Sequence, residues 1–448
     1  ALLINILGGL LSFLSFFLLS REFLTRKISL FLVVFFISTP MVYWQIFSAG
    51  IDLWTICYCL LSLHFYILWL EKRDTKLIYL CAFFAGISAS VKFTLLLCPL
   101  ILVVLFLVDL ISLNKNIWKS IKFSFRFSLF ALLGSFPPFL RNFVWTGDPL
   151  YPLFTKILSS GSYSREFLDV GTSGEFSSSV NNFFLYPFKM ILDGERYGDG
   201  HFFGVVILSF FPLLIKSFMK EKGPKRFLIN FSFVFFVFMF FAAQIARYLF
   251  PIFPVLLILS IDALKKIEAK KYLKFSCWAI VSFSLFFNLS SMLVYYGDSF
   301  AVSLGLEKKE SYLDRKSPEY KISKFFNKNI KNDAKVLLAE GLHHRYYFNA
   351  ENVIYNHHFF WDNFERKIPF DSAREFSKAL RSHGFTHIMT FDFPGLKWSR
   401  WGNAKKLMDQ LELCCLKLLK DNFFLQRQGS KRFENYKKIK VAIYKIEN

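Results

Sequence analysis

Asp52, Lys92, Arg141 and Arg247 each stand at the edge of a long apolar run, where a charge is costly. An ionised side chain at membrane depth costs about 3 kcal/mol or more unless it has a partner or a task. Lys92 and Arg247 are the positive charges of the short connections 89–92 and 244–247, and Arg141 follows the run that ends in Pro137-Pro138-Phe139-Leu140. Three cations at one membrane boundary suit a lipid phosphate: arginine offers a bidentate fork and lysine a point charge. The competing reading is snorkelling to ordinary headgroups. Asp52 is the acidic residue of the connection 43–52. It reads either as a helix cap favoured by the dipole, or as a contact to a divalent metal ion or a sugar.

A second group lies in the long connection 141–201, which opens with Asp148 and Tyr151 and closes with Asp193, Glu195 and His201. A connection of this length is functional or disordered. Its Tyr151, Pro152, Phe183, Phe184, Tyr186, Pro187 and Phe188 favour structure packed on the membrane surface. These residues line either a substrate cleft or an interfacial aromatic belt. The pairs His343-His344 and His357-His358 read as packing or surface histidines, because neighbours on a strand point to opposite faces and no further ligand follows at a fixed spacing.

The composition calls for lipid around the elements that carry these residues. Of 448 residues, 60 are Phe and 54% are hydrophobic. A spanning helix needs roughly 20 apolar residues. About ten segments qualify on this measure: 1–20, 28–42, 53–70, 77–88, 93–109, 123–140, 202–215, 227–243, 248–264 and 275–296, of which 77–88 and 202–215 are short. The net charge of +22 is not a nucleic-acid footprint, since the basic residues fall in alternate loops: Arg21, Arg26 and Lys27, then Lys72, Arg73 and Lys76, and so on to Lys265–Lys274. By the positive-inside rule those loops face the cytoplasm. The long connection 141–201 and everything after 297 then lie outside, in an integral inner-membrane protein with an extracytoplasmic C-terminal domain. Cys57, Cys59, Cys81, Cys98 and Cys277 lie in apolar runs as small hydrophobes, and Cys414-Cys415 are adjacent, so no disulfide framework is expected.

After about residue 297 the pattern changes. Pro318 opens a helix to about Asn329, Lys335–Ala339 reads as a strand, and Asp371 caps a helix ending near Gly384. Thr386–Asp392 and Lys440–Ile446 read as strands and 400–420 as an amphipathic helix. The expected fold class is a polytopic α-helical membrane domain, 1–296, followed by an extracytoplasmic α/β domain, 297–448.

Four stretches carry a family resemblance. They are Ser48-Ala49-Gly50-Ile51-Asp52-Leu53, then Phe84-Ala85-Gly86-Ile87-Ser88-Ala89-Ser90-Val91-Lys92-Phe93-Thr94, then Leu140-Arg141-Asn142 with Thr146-Gly147-Asp148-Pro149-Leu150-Tyr151-Pro152, and Ala246-Arg247-Tyr248-Leu249-Phe250-Pro251. In order, spacing and outer-face placement the chain resembles the GT-C superfamily of integral membrane glycosyltransferases, in the branch of protein mannosyltransferases and aminoarabinose transferases. The resemblance covers 1–265. It implies a polyprenyl-phosphate sugar donor and inverting transfer outside the cytoplasm to a glycan, lipid or protein acceptor. It also implies a general base in the family's first outer loop. This chain begins at Ala1 in what resembles the family's second span, so that base is expected upstream. Membrane lipids are the expected surroundings, and nucleic acid is not an expected partner. A flippase for lipid-linked saccharide, or a polysaccharide polymerase or ligase, is the rival reading. The lack of an internal repeat and the charges gathered at one face speak against the flippase.

Overall fold

A computed structural model describes residues 2–47, 50–114, 116–149, 180–192, 221–242, 244–265, 271–316, 318–330, 334–338, 353–355, 373–382, 384–392, 416–425 and 439–446. Its contacts gather into two units, Ala1–Tyr295 and Tyr296–Asn448.

The first unit is helical. It contains Leu2–Arg21 (α1), Arg26–Ser38 (α2), Pro40–Phe47 (α3), Asp52–Lys72 (α4), Thr75–Val91 (α5), Leu97–Asn114 (α6), Ile117–Thr146 (α7), Val180–Leu192 (α8), Gly223–Ala242 (α9) and Phe253–Lys265 (α10). Lys271–Ser303 (α11) follows. Among the described residues, six helices are long and apolar enough to cross a membrane, and they fall on the expected segments 1–20, 53–70, 93–109, 123–140, 227–243 and 275–296. The segment 28–42 is α2 and α3, bent by 69° between them. Proline begins α3, and Thr39 before it is extended at φ −63° and ψ 125°, as a residue preceding proline must be. The segment 77–88 is the apolar helix α5, and 248–264 becomes a 3-10 turn, Ala246–Leu249, followed by α10. The segment 202–215 lies outside the described residues. Many large apolar side chains stay exposed, such as Trp118 and Phe125 on α7 and Phe275, Phe283 and Phe286 on α11. That is the surface a lipid solvent selects.

Two details fix the helices around Lys92. First, α5 and α7 meet backbone to backbone. A Cβ on Gly86 would run into the Ala131 carbonyl, and one on Gly134 into the Phe83 carbonyl. Second, α7 does not stop at Pro137-Pro138 as a proline pair suggests; it continues to Thr146. A proline cannot bond the carbonyl four residues earlier. For Pro138 that carbonyl belongs to Gly134, and the Ser90 hydroxyl of α5 donates to it at 2.9 Å. A neighbouring helix thus satisfies the freed group, as lipid demands. The connection expected from 141 therefore begins later, and it contains the helix α8. Phe183 and Tyr186 of α8 pack against Phe236 and Phe240 of α9.

The second unit holds the helices Lys309–Lys316 (α12), Pro318–Asn329 (α13) and Ala373–Ser382 (α14). Its strands are Lys335–Leu338 (β1), Val353–Tyr355 (β2), Phe385–Asp392 (β3), Leu416–Leu425 (β4) and Ile439–Ile446 (β5). They form one sheet in the order β2-β1-β3-β5-β4. β1 runs parallel to β2 and β3, while β5 is antiparallel to β3 and β4. Val336 and Leu337 are both fully buried, as are Ile388 and Met389. Neighbours on a strand face opposite sides, so the central strands are covered on both faces. The helix expected over 400–420 is corrected in its last part: 416–425 is β4, whose Leu418 pairs with Tyr444 and whose Phe423 pairs with Val441. The run Leu-Lys-Leu-Leu-Lys suits either state locally, and the ladder with β5 decides. The short β2 was not foreseen.

Candidate anion site at the helix ends

Lys92 sits where α5 breaks. Its backbone is extended at φ −151° and ψ 126°, its N–H still donates to Ser88 at 3.3 Å, and the 3-10 turn Phe93–Leu96 follows directly. This break turns the side chain away from the α5 axis toward α4. There the Lys92 ammonium donates to the Asp52 carboxylate. Asp52 is 5% exposed in the first turn of α4, where the helix dipole favours a carboxylate. It does not cap the helix: Ile51 holds the cap position, with no side-chain bond to the first turn. The capping reading is thereby replaced by an ion pair.

The same ammonium lies 4.4 Å from the centroid of the Tyr248 ring. The Arg247 guanidinium approaches that ring at 5.7 Å. Both are within the range of cation–π attraction. Tyr248 and Arg247 belong to the 3-10 turn Ala246–Leu249, pinned by Ala246 and Leu249, which are 0% and 4% exposed. One phenol therefore gathers Lys92 and Arg247, which are 155 positions apart in the sequence. Two cations gathered this closely make a place that suits an anion.

The other predicted residues are placed less closely. Arg141 lies in the last turns of α7, donates to the Asn142 side chain at 3.2 Å and stands over Trp145 at 5.4 Å. These contacts do not join it to Lys92 and Arg247. Asp148 is fully buried just beyond α7. Its N–H donates to the Thr146 hydroxyl at 3.2 Å, and Gly147, at φ 75°, ends the helix with a bond to Phe143. Tyr151, Asp193, Glu195, His201 and both histidine pairs lie outside the described residues. Among the described residues no three of His, Cys, Asp and Glu are arranged to hold a metal ion, and Asp52 faces an ammonium instead. Cys57, Cys59, Cys81, Cys98 and Cys277 are free and buried.

Sequence reasoning missed three charged residues with partners. Asp109 on α6 accepts from the Tyr66 hydroxyl at 2.7 Å, and Lys225 of α9 donates to Asp262 of α10 at 2.6 Å. Asp109 closes an otherwise apolar run, and that isolation was the available signal. On α9 the residues Phe233, Val234, Val237, Phe238, Phe241 and Ala242 line an apolar groove of about 430 Å³.

No protein-family model matches the chain, and no curated protein matches it. Solved structures do. The crystal structure of ArnT from Cupriavidus metallidurans in the apo state superposes with a TM-score of 0.58 over 99% of this chain and 83% of ArnT, at 15% identity. The chain has the fold of ArnT. The structure of the same protein bound to undecaprenyl phosphate gives 0.57, covering 98% of this chain and 83% of ArnT at 14% identity. The ArnT-like fold extends along nearly the whole chain, whereas the sequence resemblance had reached only to about residue 265. The helices, with the ArnT fold, make this an integral membrane protein.

Proposed function

We propose that the protein is a membrane glycosyltransferase that takes a sugar from a polyprenyl-phosphate donor and passes it, with inversion, to an acceptor outside the cytoplasm. The observation that carries this reading is the meeting of Lys92 and Arg247 at the Tyr248 ring. In such a transfer the polyprenyl phosphate is the leaving group. Its charge grows as the glycosidic bond to the sugar breaks, and fixed cations stabilise that charge without reorganising. The ArnT structure with undecaprenyl phosphate supports a lipid phosphate as the ligand of this fold. The apolar groove along α9 has the chemistry of an isoprenoid tail.

In this reading Arg247 supplies a bidentate contact to the phosphate and Lys92 a point charge. Asp52 holds the Lys92 ammonium in place and is not the base. Arg141, Asp148, Tyr151, Asp193, Glu195 and His201 serve the surrounding cleft. The acceptor hydroxyl loses its proton to a carboxylate close to it.

The test is full-length protein in liposomes with radiolabelled undecaprenyl-phosphate sugar and an extract of envelope acceptors. Label is expected to move to an acceptor. Arg247→Ala is expected to slow transfer about 10²-fold or more while the protein still folds. Label that crosses the bilayer without transfer would overturn the enzyme reading in favour of a flippase.

A further inference from the structure

A short amide relay reaches the segment that enters the Arg247 turn. Asn182 and Lys189 lie two turns apart on one face of α8. The Lys189 ammonium donates to Asn182 Oδ1 at 2.7 Å. The Asn182 Nδ2 donates to Gln244 Oε1 at 3.3 Å. Asn182 is 7% exposed and Gln244 is 4% exposed, so both amides are removed from water.

The chemistry of the three groups sets the direction of the relay. An ammonium has donors and no acceptor, so it can face only the oxygen of the Asn182 amide. That turns the Asn182 nitrogen outward, toward Gln244, which must then offer its oxygen. A cation on α8 thereby fixes which way two buried amides point. Gln244 stands three residues before Arg247, at the entry to the 3-10 turn. The turn is thus held at both ends, by Gln244 on the α8 side and by Tyr248 under Lys92, with Arg247 between. The aromatic contacts of Phe183 and Tyr186 with α9 keep α8 against this region.

We propose that Asn182 is a positioning residue for Arg247, oriented by Lys189 and acting through Gln244. The inference rests on the reading of Lys92 and Arg247 as a lipid-phosphate site. It adds that the affinity of this site for the phosphate depends on a residue that does not touch it.

The experiment measures binding of tritiated undecaprenyl phosphate to the full chain in detergent micelles, in a double-mutant cycle of N182A and R247A. A lost hydrogen bond of this kind changes affinity about tenfold. N182A is expected to bind about tenfold more weakly than the parent, and N182A/R247A no more weakly than R247A alone. Where N182A does not elute as a monodisperse species, Asn182→Asp, which removes the donor at nearly constant shape, takes its place in the cycle. A merely structural role would weaken binding equally in both backgrounds, and that additive result overturns the proposal. Parent-like binding by folded N182A or N182D overturns it too, while a weakened R247A leaves the phosphate site standing. If R247A binds as the parent does, the phosphate-site reading itself fails and this inference fails with it.

Discussion

The central charges of this protein are held in pairs and triads. Lys92 has a carboxylate on one side and a phenol ring on the other, so neither the ammonium nor Asp52 is left alone in a dry place. Removing one partner of such a pair costs about 3–5 kcal/mol, because the remaining charge loses its compensation. Lys92→Met is therefore expected to lower the thermal midpoint in detergent strongly, and Asp52→Asn added to it is expected to recover much of the loss. Equal melting of the single and double variants would remove the ion pair from the account. His387 in β3 offers a second check, in the other unit. Burial, and then the Lys445 ammonium paired across from it, lower its pKa below the ordinary 6.5. The unfolded chain takes up a proton first as the pH falls. Stability contributed by the neutral imidazole is complete above about pH 6.5 and declines as the pH drops below that value toward the lower folded pKa. Protection of the β3 amides, measured relative to intrinsic exchange at each pH, is expected to fall between pH 7 and pH 5, and His387→Gln is expected to flatten that dependence.

The elements were legible where hydrophobic length alone decides. Long apolar runs such as 53–70 and 123–140 announce their helices, because lipid leaves the backbone no alternative. What could not be read was whatever depends on a neighbour. The continuation of α7 past Pro137-Pro138 depends on the Ser90 hydroxyl from another helix, and β4 depends on the ladder offered by β5. At the site, Lys92 and Arg247 were readable as cations in short connections beside apolar runs. Asp52 as the partner of Lys92, and Tyr248 as the surface shared by both cations, required the fold. Asn182 and Gln244 are ordinary amides in the sequence and gave no signal. The contact of α5 with α7 provides a test at this scale. Gly86→Val must push the two backbones apart, and overpacking of this kind costs about 1–3 kcal/mol or more. It is expected to reduce recovery of folded protein, whereas Ser90→Ala, which strips the Gly134 carbonyl of its donor, is expected to cost about 1 kcal/mol in a reversible melt.

At the scale of the whole molecule, a strongly apolar helical unit is followed by a mixed sheet with helices. From the alternation of basic loops we propose that the second unit lies outside the cytoplasm, so alkaline phosphatase fused after Asn448 is expected to be active in cells; an inactive fusion with full expression would reverse the topology. The contact between α5 and α7 has a mechanical consequence. Where Gly86 and Gly134 bring the two backbones together, the helices interlock and cannot slide past one another cheaply, and Ser90 ties them close to Lys92. The ammonium therefore stands at the end of a braced pair of helices rather than on a lone one, so its position is set by the 30 residues of α7 as well as by α5.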